Sequence, residues 1–366
     1  MGNASEPRAI LERLPIMTKE FVRSTGRELL CRGGAHVLAK QASTGGSTGE
    51  PLRVEKSFSS MIYSTALLLR GKYWAGVEPG APFVNVKGMG SISLRGRMRQ
   101  WLGGFRSVSA FPAEERNAVE LATAVKSVGA AYISGYPSIL MTISEYARET
   151  GITVPVVFTT GEVLSSGQRV ALSSQFGCRV FDYYGSNEVS GIAFECEKGT
   201  KHVSDEHVIL ETVDESGTPV RGTPGRILVT DLDNYAMPFI RYEIGDLGVI
   251  SDERCSCGRL LTVLRSIEGR TQDKLRNADG KELPVVFFAA RFRDLARIRA
   301  YQIVQSGEGD IELRYVSLGP GAKAEAQSVG DEIRQRLGLE VLVRQVGIEE
   351  LETTARGKVR LIIQRD

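Results

Sequence analysis

The chain lacks any hydrophobic run long enough to cross a membrane. Its longest apolar stretch, residues 61–69, contains Ser and Thr and stops at Arg70. A spanning helix needs roughly 20 such residues. An excess of charge of one sign is also missing. Lys plus Arg number 46 and Asp plus Glu 44, for a formal net charge of +2, so no basic surface for nucleic acid is expected. Cysteine is sparse, at five in 366 residues, which excludes a dense disulfide framework. The amino-terminal MGNASEPRAILERL has no signal-peptide apolar core. Glu6 stands where a myristoylation pattern wants Ser or Thr, and with no secretory signal the sequon Asn3-Ala4-Ser5 is read as chance. These absences predict a cytoplasmic protein with reduced thiols and no membrane or nucleic-acid partner. No internal repeat is visible.

What is present is ordinary globular material: 42% hydrophobic and 25% charged residues, in a length that suggests two domains. Residues 7–30 read as helical, with Leu11, Leu14, Ile16 and Phe21 loosely spaced. A helix-period segment ends at Gly76, APFVNV reads as a short buried strand, and another helix is expected over residues 115–129. Short strands then each run into a polar turn: AYISG before Tyr136-Pro137-Ser138, PVVFTTGE into Gly161-Glu162, and CRVFDYYGSNE into Gly185. This alternation predicts an α/β layer with a mostly parallel sheet. Ligands gather where such strands run out into loops. From His207 the pattern becomes long β-type alternation, read as antiparallel strands. Beyond Arg270 a hairpin, a helix ending at Gly338 and a further strand predict a small α+β domain.

The stretch STGGSTGEP places three glycines and four hydroxyls in nine positions. A linker has such a composition, and so does an anion cradle built from backbone N–H groups and hydroxyls. A second constellation is Cys196 and His202, followed by Cys255-Ser256-Cys257. Three thiolates and one imidazole suit tetrahedral zinc, although the spacing is not that of a standard zinc finger; His207 is the alternative fourth ligand. Cys31 and Cys178, among apolar neighbours, are expected in the core.

Taken in order, STGGSTGEP, TTGE, YYGSNE, IRYEIGDLG, GRTQDKL and TARGKVR resemble the motifs of the adenylate-forming superfamily. Within it they are similar to the phenylacetate–CoA ligase family, and most to its capsular polysaccharide biosynthesis branch. The resemblance spans nearly the whole chain from LPIMTKEFVR onward. It implies the adenylate-forming fold: a large N-terminal domain over residues 1–268, a hinge at 269–274 and a small mobile α+β domain over 275–366. It also implies ATP-dependent conversion of a carboxylic acid to an acyl-adenylate with release of pyrophosphate, and then transfer to coenzyme A. Transfer to an amine or hydroxyl, or nucleotide binding without catalysis, are the alternatives, and a homodimer is the implied assembly.

The resemblance assigns roles by position. Ser43, Thr44, Gly45, Gly46, Ser47, Thr48 and Gly49 follow the phosphates of ATP. Gly161, Glu162, Asp182, Tyr183, Tyr184, Gly185, Ser186 and Asn187 surround the nucleotide, with Tyr184 stacking on adenine. Glu188 binds magnesium through carboxylate oxygen. Asp246 accepts from the ribose hydroxyls, and Arg270 holds ribose or phosphate. Gln272 and Asp273 are the pivot. Lys358 bridges the carboxylate and the α-phosphate and offsets transition-state charge. Tyr136, Pro137, Gly161 and Gly185 line the acyl pocket. The cysteine–histidine group corresponds to a structural zinc in some relatives. Three positions depart from the pattern: Glu50 replaces a Lys, Asn187 replaces Thr or Ser, and Gln272 replaces an acidic residue.

Overall fold

The computed structural model describes residues 10–32, 39–43, 52–87, 98, 100, 103–109, 115–271, 274–284, 288, 291–292, 295–307, 309–354 and 358–365. The helix expected over residues 7–30 is not continuous. A helical turn at 10–12 gives way to an extended segment, and α1 (Lys19–Thr25) begins afresh. Pro15 has no N–H to donate and disfavours helical geometry at Leu14. Thr18 then caps the new helix, its hydroxyl accepting from Phe21 N at 3.1 Å.

Next, β1 (Lys40–Ser43) and β2 (Arg53–Lys56) pair antiparallel with Ser43 opposite Arg53. The glycine-rich stretch therefore joins the two strands of a hairpin. Its residues Thr44, Gly45, Gly46, Ser47, Thr48, Gly49 and Glu50 lie outside the described residues. α2 (Phe58–Trp74) follows, and Gly76 turns the chain at φ +83°. The predicted alternation appears as β3 (Phe83–Lys87), β4 (Phe105–Ser109), α3 (Glu115–Val128), β5 (Tyr132–Gly135), α4 (Pro137–Thr150), β6 (Val156–Thr160), α5 (Ser166–Phe176) and β7 (Arg179–Tyr184). α5 opens on a reciprocal Ser165/Gln168 cap and closes on Gly177 at φ +61°.

The antiparallel run comprises β8 (Ala193–Glu195), β9 (Lys201–Val203), β10 (Val208–Val213), β11 (Gly225–Asp231), β12 (Tyr242–Ser251) and β13 (Val263–Arg270). The C-terminal segment adds β14 (Lys274–Arg276), β15 (Glu282–Pro284), β16 (Ile298–Ser306), β17 (Ile311–Ser317), α6 (Ala322–Leu337), β18 (Val341–Gln345) and β19 (Ile362–Arg365).

The chain forms two compact units of two segments each: Met1–Gly71 with Tyr183–Arg270, and Lys72–Asp182 with Thr271–Asp366. In the first, strands lie in the order β10–β11–β12–β13–β9–β8, all neighbours antiparallel. Its core gathers Ile227, Phe239, Tyr242 and Leu264. A methyl on Gly71 would collide with the Phe194 ring, so this point of close approach accepts only glycine.

In the second unit β6–β5–β3–β4 run parallel. Leu121, Ile133, Leu140, Leu172 and Phe176 form the core beneath α3, α4 and α5. The C-terminal segment builds its own sheet in the order β18–β17–β16–β19. α6 buries Ala326, Val329, Ile333 and Leu337 as an amphipathic stripe. Gln168 Nε2 donates to Arg299 O at 2.7 Å, tying α5 to β16. No described helix is long and apolar enough to cross a membrane.

Phe176 is fully buried at the end of α5. Phe176→Ala should destabilise the protein by about 3–5 kcal/mol, seen as a lower denaturation midpoint.

Candidate active site

In the first unit, a carboxylate in a strand organises its neighbours. Asp246 on β12 lies in register with Arg270 at the end of β13. Asp246 Oδ1 is 3.0 Å from Arg270 Nε, and its Oδ2 accepts from Tyr184 OH at 2.7 Å. Arg270 Nη1 also donates to Ile244 O at 3.4 Å. Burial, reinforced by the Asp246 charge, pushes the Tyr184 phenol well above its ordinary range. Tyr184 ends β7, and Gly185 lets the chain turn against Gly191: a methyl on Gly185 would lie 3.0 Å from Gly191 N.

The following turn is closed by its own hydrogen bonds. Ser186 N donates to Val189 O at 2.8 Å, and Val189 N donates to Ser186 Oγ at 3.0 Å. The turn presents Glu188 inward, buried, with Oε1 accepting from Tyr242 OH at 3.1 Å. Asn187 points to solvent. Tyr184, Glu188, Asp246 and Arg270 are thus brought together, as each of the other three acts electrostatically on Tyr184.

Tyr183 is not brought to this group. Its ring stacks on Phe194 at 5.7 Å, because neighbouring strand residues face opposite ways. Asp182, in the second unit, accepts from Thr159 Oγ1 at 2.7 Å, a buried bond between β6 and β7. Ser43 ends β1, and Gln272 and Asp273 lie outside the described residues.

Two cations near Glu188 carry no sequence signal that sets them apart from surface lysines. Lys19 opens α1 and Lys56 ends β2. Burial draws both ammonium groups below their usual range. Glu188 and Asp246 partly restore the charge on Lys19, and Asp231 and Glu188 do so for Lys56. Lys56 Nζ donates to Ser190 Oγ at 2.7 Å.

The second unit contains the remaining predicted residues. Pro137 is the first residue of α4, where its missing N–H costs nothing. Glu162 accepts from Ser138 N at 2.9 Å and from Ser138 Oγ at 2.8 Å. Burial raises the Glu162 carboxyl, while these bonds and Lys358 oppose the rise. The loop before β19 is pinned by Thr354 N donating to Lys358 O at 2.8 Å. Lys358 Nζ donates to Gly161 O at 2.8 Å and sits 4.7 Å from the Tyr136 ring centroid. Tyr136, Gly161 and Lys358 therefore meet at one point, which Glu162 and Ser138 brace.

The cysteine–histidine group is also assembled, within the first unit. Cys196 follows β8, His202 lies on β9, and Cys255 and Cys257 occupy the loop between β12 and β13. One ligand atom from each lies within 4.8 Å of the others. Cys196 Sγ and Cys255 Sγ are 3.8 Å apart, and Cys257 Sγ is 3.3 Å from His202 Nε2. A zinc tetrahedron with Zn–S of about 2.3 Å has edges of about 3.8 Å, so the donor set fits that ion. Burial raises the Cys196 thiol to about 11. Burial also opposes ionisation of Cys255, but hydrogen bonds from Thr200, Cys257 and His202 outweigh it and bring Cys255 to about 6.

The alternative ligand His207 is elsewhere. Its Nδ1 lies 2.5 Å from Asp233 Oδ2 and its Nε2 2.9 Å from Ser190 O. Cys178 is buried as expected, with its thiol pushed up to about 12 by burial. Cys31 is only half-buried.

Comparison with known proteins places the fold in a class. The sequence matches no protein-family model. The structure superposes on 2-hydroxyisobutyryl-CoA ligase, solved in the postadenylation state with 2-HIB-AMP. The TM-score is 0.73 at 20% identity, over 97% of this chain and 80% of that one. O-succinylbenzoate coenzyme A synthetase from Bacillus subtilis, solved with AMP, gives 0.57 at 14% identity, over 87% and 67%. The fold is that of the adenylate-forming enzymes. In sequence, the chain is similar to a phenylacetate-coenzyme A ligase of Thermus thermophilus. It is 26% identical over 317 residues, 82% of this chain and 70% of the relative.

Gly161 has φ +77°, and a methyl on it would lie 2.8 Å from Tyr136 Cε1 and 2.9 Å from Lys358 Nζ. Gly161→Ala should lose about 1 kcal/mol or more of stability and push Lys358 off the Gly161 carbonyl. Denaturation and a structure of the variant check both effects.

Proposed function

We propose that the protein is an AMP-forming carboxylate–CoA ligase of the phenylacetate–CoA ligase type, within the family's polysaccharide biosynthesis branch. The observation that carries this reading is the convergence of Lys358, Gly161 and Tyr136. A lysine near the C-terminus places its ammonium on the turn after β6 and against an aromatic ring. The ligase relative and the ligase fold neighbours support the same chemistry.

A carboxylate is a poor acyl donor because oxide leaves badly. Its oxygen attacks the α-phosphorus of ATP, the bond to the β-phosphate oxygen breaks, and pyrophosphate departs. Lys358 neutralises charge as the carboxylate meets the phosphate. Asp246, fixed by Tyr184 and Arg270, accepts from the ribose hydroxyls, and Tyr184 packs on the adenine. Glu188 supplies a hard carboxylate oxygen, the donor magnesium prefers, and would hold that ion, which neutralises phosphate charge when bound. The thiol of coenzyme A, losing its proton, then attacks the acyl carbon, and AMP leaves. Between the two steps residues 275–366 turn about 269–274 and carry Lys358 away. Tyr136 forms the aromatic wall of the acyl pocket. No acyl-enzyme is needed, so no serine or cysteine is a nucleophile. The setting is cytoplasmic.

Cys196, His202, Cys255 and Cys257 would hold zinc with no open position. The ion would staple the β8–β9 and β12–β13 loops and take no part in the chemistry.

Exchange of labelled pyrophosphate into ATP, run against a library of carboxylic acids, tests adenylation. The wild type should exchange with at least one acid, and Lys358→Ala should fall by orders of magnitude with its fold intact. No exchange with any acid would sink the reading, and product formation without coenzyme A would move the acceptor to an amine or hydroxyl.

Zinc is tested separately. Metal analysis should find about one zinc per chain, lost in Cys196→Ser together with thermal stability; a zinc-free wild type of undiminished stability would refute the staple.

A further inference from the structure

Lys19 reaches the Asp246 cluster by backbone docking of the segment before α1. Met17 N donates to Arg241 O at 3.1 Å, and Glu243 N donates to Met17 O at 2.9 Å. This bridge to β12 sets the first turn of α1 beside Gly245 and Asp246. A methyl on Gly245 would lie 3.0 Å from Lys19 Nζ and 3.7 Å from Arg270 Nη1. Two cations therefore stand over the glycine that precedes Asp246.

Lys19, Lys56, Arg23 and Arg270 gather in this region with the carboxylates Glu188, Asp246 and Asp231, and Arg23 also pairs with Glu20 at 4.0 Å. Asp231 is already engaged, its Oδ1 accepting from Asp233 N at 2.9 Å and from Asn234 N at 3.1 Å. Asp246 is engaged by Arg270 and Tyr184. Among the described residues, no ion pair joins Lys19 to Glu188 or Asp246. Like charges gathered in a partly buried site repel, and an anionic ligand relieves that repulsion. The stretch between β1 and β2 contributes no cation of its own. From Ser43 to Leu52 it has no Lys or Arg and carries Glu50.

We propose that Lys19 is a phosphate-binding residue: its ammonium holds the polyphosphate of ATP, supplied from the N-terminal helix in place of a cation in the glycine-rich stretch. The assignment rests on the adenylation reading. Lys19 is brought to the cluster by main-chain bonds of Met17, so changing its side chain leaves the docking intact. A polyphosphate carries more charge than AMP, so loss of one cation weakens ATP more than AMP.

The test is calorimetric binding of Mg-ATP and of AMP to the full chain, as wild type, Lys19→Met and Lys19→Arg, at two salt concentrations. Lys19→Met should weaken ATP about tenfold, weaken AMP less and flatten the salt dependence, while Lys19→Arg should recover most of the loss. ATP affinity unchanged in Lys19→Met would overturn the assignment. So would equal losses for ATP and AMP, which mark a structural role. A wild type that binds neither nucleotide would instead overturn the adenylation reading itself.

Discussion

A buried carboxylate is tolerated only where partners meet its oxygens. Asp246 satisfies that condition with Tyr184 on one oxygen and Arg270 on the other. Three elements distant in sequence are thereby fixed at one place: the end of β7, the middle of β12 and the end of β13. The turn bearing Glu188 begins two residues beyond Tyr184, so its position is inherited from the same anchor. Tyr242, four residues before Asp246 on the same strand, takes hold of Glu188 directly. Tyr184, Arg270 and the turn bearing Glu188 are thus held around one carboxylate within a single unit.

The second unit uses a different device. A carbonyl with no side chain beside it receives Lys358, and a carboxylate braces the wall opposite. Glu162 does not face the lysine as a simple counter-ion. It is consumed by the start of α4, accepting from both the amide and the hydroxyl of Ser138. The ammonium meets a neutral carbonyl and a ring face, partners that hold a cation without cancelling its charge.

Much of this was legible in the sequence, and the failures have physical reasons. Turn chemistry located Gly161 and Gly185, and strand period located β5, β6 and β7. The same period separates Tyr183 from Tyr184, so the Tyr183 ring lies on Phe194 and away from Asp246. The break before α1 at Pro15 was missed, because residues 7–30 were read by apolar spacing alone. Cys196, His202, Cys255 and Cys257 were visible as a set, and His207 is held apart from it by Asp233 and the Ser190 carbonyl. Lys19 and Lys56 were invisible as site residues. A lysine in a polar stretch looks like any surface lysine until the sheet brings carboxylates up to it. No local pattern encodes that long-range placement.

The interleaving of the two units has a consequence for how the chain is made. The first unit opens at the amino end but takes its sheet from residues 183–270, and the whole of 72–182 is synthesised in between. On a ribosome, α1 and the β1–β2 hairpin must wait on the order of 10 s for the strands they dock on. The second unit waits longer still, since β19 supplies the last edge of its C-terminal sheet. Hydrophobic faces on early segments stay uncovered throughout that interval, so growth of this chain in the cell should lean on chaperones.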